Sequence, residues 1–438
     1  MTTEKPMHRI SRKRVAAGVL GAVLLAGLAT GAGRSVAQTP PTQRNGLVCT
    51  TGTGTTPTFN LETKTGYINL PDGNTAFMWG YNEVGKPFQH PGAVLCVNQG
   101  DTVTVNLHNN LAAPVSIMFP GQDSVTANGA PAQPQFDSAG KATSLTNTAN
   151  ASGGNVTYSF VAGNPGTYIY ESGTDAQTQV RMGLFGALIV RPTQGALFAY
   201  NRPDSQFTSG EEFLVLLSEI DPYQHQAAEA GQPFDITTYH PRYWLINGRG
   251  FPDSVADNFA SFLPSQPYGA LAHIHPWDPT THPQPGLARY INVGTEDYPM
   301  HPHGNNGSLI GRDGKPLEGP GGQDLSMEKF SFNIGPSQTW DVLFKWYDAE
   351  HYTAAGNPVP VTVPNVANQV FGMFYSGSPY LGTTGTLPPG ASTLNQCGEF
   401  YIIAHNHALY QITSWGVNMT GPITYMRVDP PLPNNCPA

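Results

Sequence analysis

The chain has 438 residues, of which 12% are charged and 10% are aromatic, with 49 glycines, 40 prolines and a formal net charge of −9. This length allows two or three domains. Few charges and many turn-forming residues indicate an all-β protein and disfavour helical bundles. The acidic balance excludes nucleic acid as an expected partner.

The N-terminal residues 1–37 have the pattern of an export signal. Basic residues up to Arg14 precede an apolar run from Val15 to Ala32, and Ser35-Val36-Ala37 is a small-residue cleavage site. The run is close to the shortest membrane span, so an uncleaved N-terminal anchor stays open. Cleavage removes six of the 21 basic residues and one of the 30 acidic residues, so the net charge becomes −14. We expect a secreted, periplasmic or cell-surface protein, with no other contact with a membrane.

A first β domain is predicted over residues 50–195, after a short leader at 38–49 that is disordered up to about residue 45. A turn at 98–101 precedes the clearest strand, in which apolar residues alternate with polar ones from Val103 to Leu107. This alternation predicts a strand with one buried face. Further strands are predicted at 166–170 and 186–190.

A second β domain is predicted over residues 208–432, after a polar, loop-like stretch that begins at Thr193. Proline- and glycine-rich stretches at 251–288 and 354–396 are typical of long surface loops. The predicted strands of this block lie at 212–217, 243–248, 289–293, 339–345 and 399–404.

Four cysteines, an even number in a chain with an export signal, favour two disulfides. Three pairings are possible. We favour Cys49–Cys96 and Cys397–Cys436, because each would tie one end of a predicted domain to its own sandwich. No C-x-x-C spacing is present, which disfavours a cysteine zinc site or a dithiol redox pair.

Two histidine couplets are the strongest chemical signal. They are His301-Pro302-His303 and His405-Asn406-His407. Side chains two residues apart on a strand point to the same face, so each couplet aims two imidazoles at one point. Neutral imidazole binds copper, zinc, iron and nickel, so the residues alone leave the metal open.

Several short sequence motifs, taken in their order along the chain, resemble motifs of the multicopper oxidase superfamily. The resemblance covers most of residues 60–430 and implies two Greek-key β-sandwiches of the cupredoxin type in tandem, at 50–195 and 208–432. It also implies copper as the metal. The motifs that carry the resemblance are the Val97–Val105 run, Gly166-Thr-Tyr, Gly183–Val190, Leu245-Ile-Asn-Gly248, His301-Pro-His303-Gly304 and Arg312-Asp-Gly314.

The residues at the family's type 1 copper positions depart from the pattern. A type 1 site needs a cysteine thiolate, two histidines and a weak axial ligand. Asn406 stands where the resemblance places the cysteine, and Tyr298 and Gln411 stand where it places the histidines. Met419 could serve only as the axial ligand. The comparison of motifs therefore predicts that the chain has no blue copper centre.

The family's trinuclear copper cluster uses four H-x-H pairs, and two of them are missing. The segment from Met118 to Gly121 replaces one pair, and Glu171-Ser-Gly173 replaces another. The pairs His301/His303 and His405/His407 remain. The resemblance implies that these four residues bind one copper ion, with zinc as an alternative, or that they are a relic without metal. Glu171 and Met118 are expected to face them.

A third H-x-H sequence, His273-Ile-His275 with His282 nearby, lies in a proline-rich loop and has no counterpart in the family. We interpret it as exposed polar decoration. The chain contains no G-x-S-x-G elbow, P-loop or H-E-x-x-H motif in a suitable context.

The sequence leaves two functions open. The first is an exported multicopper-oxidase-like protein with residual copper binding, with oxidoreductase activity left open and laccase-type activity not expected. The second is a secreted binding or structural protein without catalytic activity, which could form a homo-oligomer or a surface assembly through strand edges.

Overall fold

A computed structural model of the chain describes residues 43–304, 306–347, 400–416 and 419–429. The predicted signal or anchor at 1–37 and the pair Cys397–Cys436 lie outside these residues. Within the described ranges, no helix combines the length and the apolar character needed to cross a membrane. Strands dominate, and the prediction of an all-β protein is confirmed.

The strands of residues 50–191 form two main sheets. One has the order β3-β2-β5-β10-β6-β7 and the other β1-β4-β12-β11, while β8 and β9 form a small hairpin. The strands are β1 (Thr50–Thr51), β2 (Thr58–Asn69), β3 (Thr75–Glu83), β4 (Leu95–Asn98), β5 (Thr102–Asn109), β6 (Thr126–Ala127), β7 (Ala130–Pro131), β8 (Gln135–Phe136), β9 (Ala142–Ser144), β10 (Gly154–Val161), β11 (Gly166–Glu171) and β12 (Phe185–Arg191), with helix α1 (Ala176–Gln179) between the last two.

Strand β5 confirms the alternation read from the sequence. Val103, Val105 and Leu107 are buried in the core between the two sheets, and the residues between them are partly exposed. The alternation buries one face of the strand because successive side chains point to opposite sides.

The strands of residues 212–428 form two further main sheets, with orders β14-β13-β17-β23-β19-β20, to which β21 adds beside β19, and β15-β26-β25-β18-β22. Strands β16 and β24 pair separately. The strands are β13 (Glu212–Ile220), β14 (Tyr243–Ile246), β15 (Ala272–Ile274), β16 (Pro276–Trp277), β17 (Gly286–Asn292), β18 (Tyr298–Pro302), β19 (Gly307–Arg312), β20 (Lys315–Pro316), β21 (Met327–Lys329), β22 (Phe332–Ile334), β23 (Thr339–Phe344), β24 (Trp346–Tyr347), β25 (Phe400–Asn406) and β26 (Ile423–Val428). The helices are α2 (Pro222–Glu229), α3 (Leu409–Ile412) and three short 3-10 turns at Pro203–Ser205, Ile236–Thr238 and Asp253–Val255.

In the described residues no main sheet mixes strands of the first block (50–191) with strands of the second (212–428). The exact boundaries 50–195 and 208–432 stay a prediction. The two blocks share an apolar cluster to which β11 contributes Ile169 and β13 contributes Leu214.

A buried ionic network crosses the contact between the blocks. Arg289 on β17 has no exposed side-chain surface, and its Nε donates to Glu212 Oε1 at 2.6 Å. Its Nη1 donates to Thr167 Oγ1 of the first block at 2.8 Å and lies 3.3 Å from Asp341 Oδ1. Burial alone would lower the pKa of Arg289, but the carboxylates of Glu212 and Asp341 hold it above its ordinary value.

The disordered leader predicted up to about residue 45 is wrong from residue 43 onward. The Leu47 side chain is buried, and its amide donates to Glu212 O at 2.7 Å. Arg44 pairs with Asp257. Leu47, Val48 and Cys49 pack into the apolar cluster shared by the two blocks, so this segment has apolar surface to bury. The predicted Cys49–Cys96 disulfide is confirmed, with Cα atoms 5.5 Å apart.

Candidate metal centre

The pairing of β18 with β25 brings the two histidine couplets together. The strands are antiparallel, and His301 lies directly opposite His405. The pairing continues just past both strands, where the His303 amide donates to Ile403 O at 2.9 Å and the His407 amide donates to Pro299 O at 2.8 Å. Because the side chains of a couplet share a face, this register places four imidazoles on one patch of the sheet.

The four rings form one cluster. The His301 ring centroid lies 4.7 Å from that of His303, 5.7 Å from that of His405 and 5.4 Å from that of His407. The His405 ring centroid lies 5.1 Å from that of His303 and 5.4 Å from that of His407. The structure thus brings together every residue predicted for the metal site, while metal binding itself stays a prediction.

Hydrogen bonds fix which ring nitrogens are available. His301 Nδ1 lies 2.7 Å from Phe330 O, and His405 Nδ1 lies 2.8 Å from Asn406 O. Each Nδ1 must therefore carry a proton, which leaves Nε2 as the lone-pair nitrogen. Histidines that bind metals commonly donate their second nitrogen to a backbone carbonyl in this way.

The remaining close contact joins two of the rings directly. His303 Nε2 lies 3.0 Å from His405 Nε2. Since Nε2 of His405 is the acceptor, His303 donates from Nε2 in this arrangement. Binding of a metal at both Nε2 atoms would require His303 to move its proton to Nδ1.

The ionisation of the cluster suits metal binding. Burial lowers the pKa of His303 and of His405, and the neighbouring imidazoles lower both further. Both rings are therefore neutral at neutral pH, as a metal ligand must be. The ligands are not preassembled, because no three nitrogens of the cluster belong to a group of ligand atoms within 4.8 Å of one another in the described residues. Small side-chain rotations would be needed.

The predicted position of Glu171 and Met118 opposite the histidines stays a prediction. Among the described residues, the pocket beside the histidines is lined by residues of the second block, including Phe330. Met118 and Glu171 bridge to each other, with the Met118 amide donating to Glu171 O at 2.7 Å. In the part of the chain that the structure describes, no hydrogen bond, ion pair or ring contact joins either residue to the histidines. Burial raises the pKa of Glu171 to about 7.

The residues at the type 1 positions hydrogen-bond within a buried polar network. Tyr298 is fully buried, and its hydroxyl donates to Glu219 Oε2 at 2.5 Å. Asn406 donates its side-chain amide to Gln411, whose Nε2 donates to Glu296 Oε2 at 2.7 Å. Met419 packs against another cluster, near Ile412 and Tyr425.

The interpretation of His273, His275 and His282 as exposed decoration is wrong. Their side chains are only 15%, 23% and 13% exposed. Their rings face two buried carboxylates, Glu211 and Asp429. The H-x-H spacing of His273 and His275 was the sequence signal that could have indicated a group of ligands here. The sequence could not pair these histidines with carboxylates that lie 64 and 156 residues away.

Comparisons with known proteins point to one family. Residues 62–195 match the multicopper oxidase family. L-ascorbate oxidase of Cucurbita maxima is 31% identical over 219 residues, which is 47% of this chain and 34% of that protein. A copper-containing nitrite reductase of Neisseria meningitidis is 26% identical over 164 residues, which is 36% of this chain and 35% of that protein. These matches span about a third of the length of each relative.

Solved structures give the same fold. The multicopper oxidase mgLAC has a TM-score of 0.56 at 18% identity and covers 85% of this chain and 86% of its own. A blue copper oxidase from Nitrosomonas europaea has a TM-score of 0.54 at 17% identity, with 85% of each chain covered. The predicted cupredoxin-type fold, with two sandwiches in tandem, is confirmed.

Proposed function

Because this chain belongs to the multicopper oxidase superfamily, we propose that it is an exported protein that binds one copper ion through four histidines and has no type 1 copper site. The convergence of the four imidazoles on the β18–β25 pair is the observation that carries the proposal. The ligands are His301, His303, His405 and His407.

The chemistry of these residues fits copper. His301 and His405 are oriented by carbonyl oxygens at Nδ1, and burial favours the neutral form of His303 and His405. Imidazole is a preferred ligand of both copper and zinc, so zinc is the alternative ion. Copper bound here would supply one-electron redox chemistry. The chain's own part is to hold the ion, to keep its ligands deprotonated and to leave one side of the site open.

The same proposal limits the activity. Four-electron reduction of oxygen requires stored electrons, and this chain has neither the thiolate of an electron-entry copper nor half of the cluster ligands. Asn406, where the thiolate would stand, is buried and hydrogen-bonded to Gln411. We therefore expect no laccase-type turnover, and any oxidoreductase activity would be slow chemistry at a single ion.

Export is part of the proposal. It rests on the N-terminal signal pattern and is supported by the Cys49–Cys96 disulfide, because disulfides persist in oxidising compartments. We propose a secreted, periplasmic or cell-surface location and no nucleic-acid partner. Association into a homo-oligomer or a surface assembly belongs to the same proposal.

One observation favours a second candidate function, an exported binding or structural protein without catalysis. His303 and His405 already satisfy each other through a bond of 3.0 Å between their Nε2 atoms. The buried network around Tyr298 is likewise complete without a metal. A cupredoxin-type fold that has lost copper ligands could serve as a rigid support for binding loops.

The test is copper uptake by metal-free, full-length mature protein. Paramagnetic resonance and metal analysis should show copper bound by imidazole nitrogens in the parent. The signal should be lost in the His301→Ala, His405→Ala double variant and retained in the matched control His108→Ala, whose ring contacts Asn155 on the first block. Absence of a histidine-bound copper in the parent would favour the non-catalytic function instead.

A further inference from the structure

A second group of potential metal ligands lies beside the far end of the sheet that carries the four histidines. Strand β26 runs from Ile423, opposite His405, to Val428, opposite Phe400. Strand β15 pairs with the far end of β26, where His273 lies beside Arg427. Five residues along a strand separate the two ends by roughly 17 Å. The second group is therefore distinct from the first.

The group is centred on Glu211, just before β13. Glu211 Oε1 lies 2.8 Å from His275 Nδ1 and 3.3 Å from His282 Nε2. The three ligand atoms, one from each side chain, lie within 4.8 Å of one another. Glu211 Oε1 also accepts the His275 amide at 3.1 Å, so the carboxylate is fixed with respect to the chain that carries the first imidazole.

A carboxylate–histidine pair lies directly beside this group. His273 Nε2 is 2.6 Å from Asp429 Oδ2, and the His273 ring stacks on that of His275 with centroids 5.7 Å apart. Arg427 donates to Asp429 Oδ1 at 2.8 Å. Asp429, shared between a cation and an imidazole, is thus oriented as an outer partner and is less free than Glu211 to bind an ion.

The two carboxylates of this cluster are buried and therefore need partners. The Glu211 and Asp429 side chains are 5% and 2% exposed, whereas the three imidazoles keep a partly exposed edge. A buried carboxylate must be paired or must coordinate a metal. Two imidazoles converging on one buried carboxylate oxygen form a ligand set with an open side.

We propose that Glu211, His275 and His282 bind a zinc-type divalent cation, and that His273 and Asp429 position these ligands from outside. Two imidazoles and one carboxylate, with a fourth position for water, form a known ligand set for zinc. His273 stacks on the ligand His275, and the Asp429 carboxylate orients His273, in the manner of partners that hold metal ligands in place. The proposal uses none of the four histidines assigned to copper.

The ion would fasten a long loop to the start of a core strand. His282 also lies 3.4 Å from Thr208 Oγ1, which donates to Gln284 O at 2.9 Å. Glu211 precedes Glu212, which takes part in the buried ionic network between the blocks. Binding would therefore stabilise the 275–285 loop at the point where the second block begins.

The experiment uses the full chain carrying His301→Ala and His405→Ala, so that the first site cannot bind. Calorimetric titration with Zn2+ alone should show one equivalent bound, and Co2+ should give the visible bands of a four-coordinate ion. Adding His275→Ala and His282→Ala should weaken Zn2+ binding by at least about 100-fold. Asp429→Asn, a positioning variant, should weaken it by about 10- to 100-fold.

A conservative variant guards against loss of fold. Glu211→Gln keeps the shape and the hydrogen-bond acceptor, and it should weaken Zn2+ binding while circular dichroism stays unchanged. No Zn2+ binding in the His301→Ala, His405→Ala chain would overturn the proposal. Zn2+ binding that stays as tight as in that chain after Glu211→Gln and after the His275/His282 replacement would also overturn it. In either case the cluster would consist of ion pairs alone. Because the first site is absent throughout, failure here leaves the copper proposal untouched.

Discussion

Removing Arg289 tests the account of how the two blocks are joined. Its guanidinium is fully buried between Glu212 and Asp341 and reaches Thr167 of the first block. In Arg289→Met, Glu212 keeps Arg191 at 2.6 Å. Among the described residues, Asp341 then keeps the hydroxyls of Thr167 and Tyr200, each at 2.6 Å. The loss is therefore that of one buried carboxylate without its cation, for which we expect about 3–5 kcal/mol of destabilisation.

Guanidinium-induced unfolding, followed by tryptophan fluorescence and circular dichroism, measures this loss. Adding Asp341→Asn should restore at least about 1 kcal/mol, because the neutral amide removes the unpaired charge; its oxygen still accepts from one hydroxyl, and its NH2 group can donate to the oxygen of the other. The control Arg44→Met breaks an ion pair whose arginine side chain is 67% exposed, and it should cost at most about 1 kcal/mol. A loss near the control's for Arg289→Met, or no recovery in the double variant, would refute the reasoning.

Three further predictions follow from individual residues. Burial raises the pKa of Glu171 to about 7. The folded protein therefore loses stability as pH rises from the unfolded value, near 4.3, through 7, by roughly 4 kcal/mol; thermal melts should show Glu171→Gln more stable than the parent at pH 8 and not at pH 4. Replacing both Cys49 and Cys96 by serine opens a loop of 47 residues and should cost about 2–4 kcal/mol of unfolding free energy, measured by denaturant-induced unfolding. Because burial lowers the pKa of His303 and His405, protonation of these two ligands should weaken copper binding only below the ordinary imidazole value of about 6.5; an NMR titration in which either ring protonates well above that value would contradict this.

Local patterns in the sequence were sufficient for much of the fold. The alternation from Val103 to Leu107 identified β5, because strand periodicity is written in consecutive residues. The packing of residues 43–49 was not predictable in the same way. The Leu47 side chain packs in an apolar cluster with residues far away in the sequence, such as Leu214, and its amide donates to Glu212 O.

The two groups of candidate ligands differ in the same way, because one could be predicted from local sequence patterns and the other depends on contacts between distant residues. The His301 and His405 couplets could be predicted to meet, because the H-x-H spacing sets the face and the family resemblance sets the strand pairing. The Glu211 group could not, because its ligands come from the start of β13 and from a loop whose path is set by tertiary packing. The predicted position of Glu171 opposite the histidines stays a prediction, and within its own block Glu171 bridges to Met118.

Copper anomalous diffraction from crystals of the copper-loaded, full-length mature protein tests the central claim most directly. We expect one copper peak with at least three ring nitrogens of His301, His303, His405 and His407 at about 2.0–2.2 Å, the distance typical of imidazole bound to a divalent metal. No sulfur atom should lie in its coordination sphere. A crystal with no copper peak at these four residues, or with copper at Glu211, His275 and His282 alone, would contradict the account.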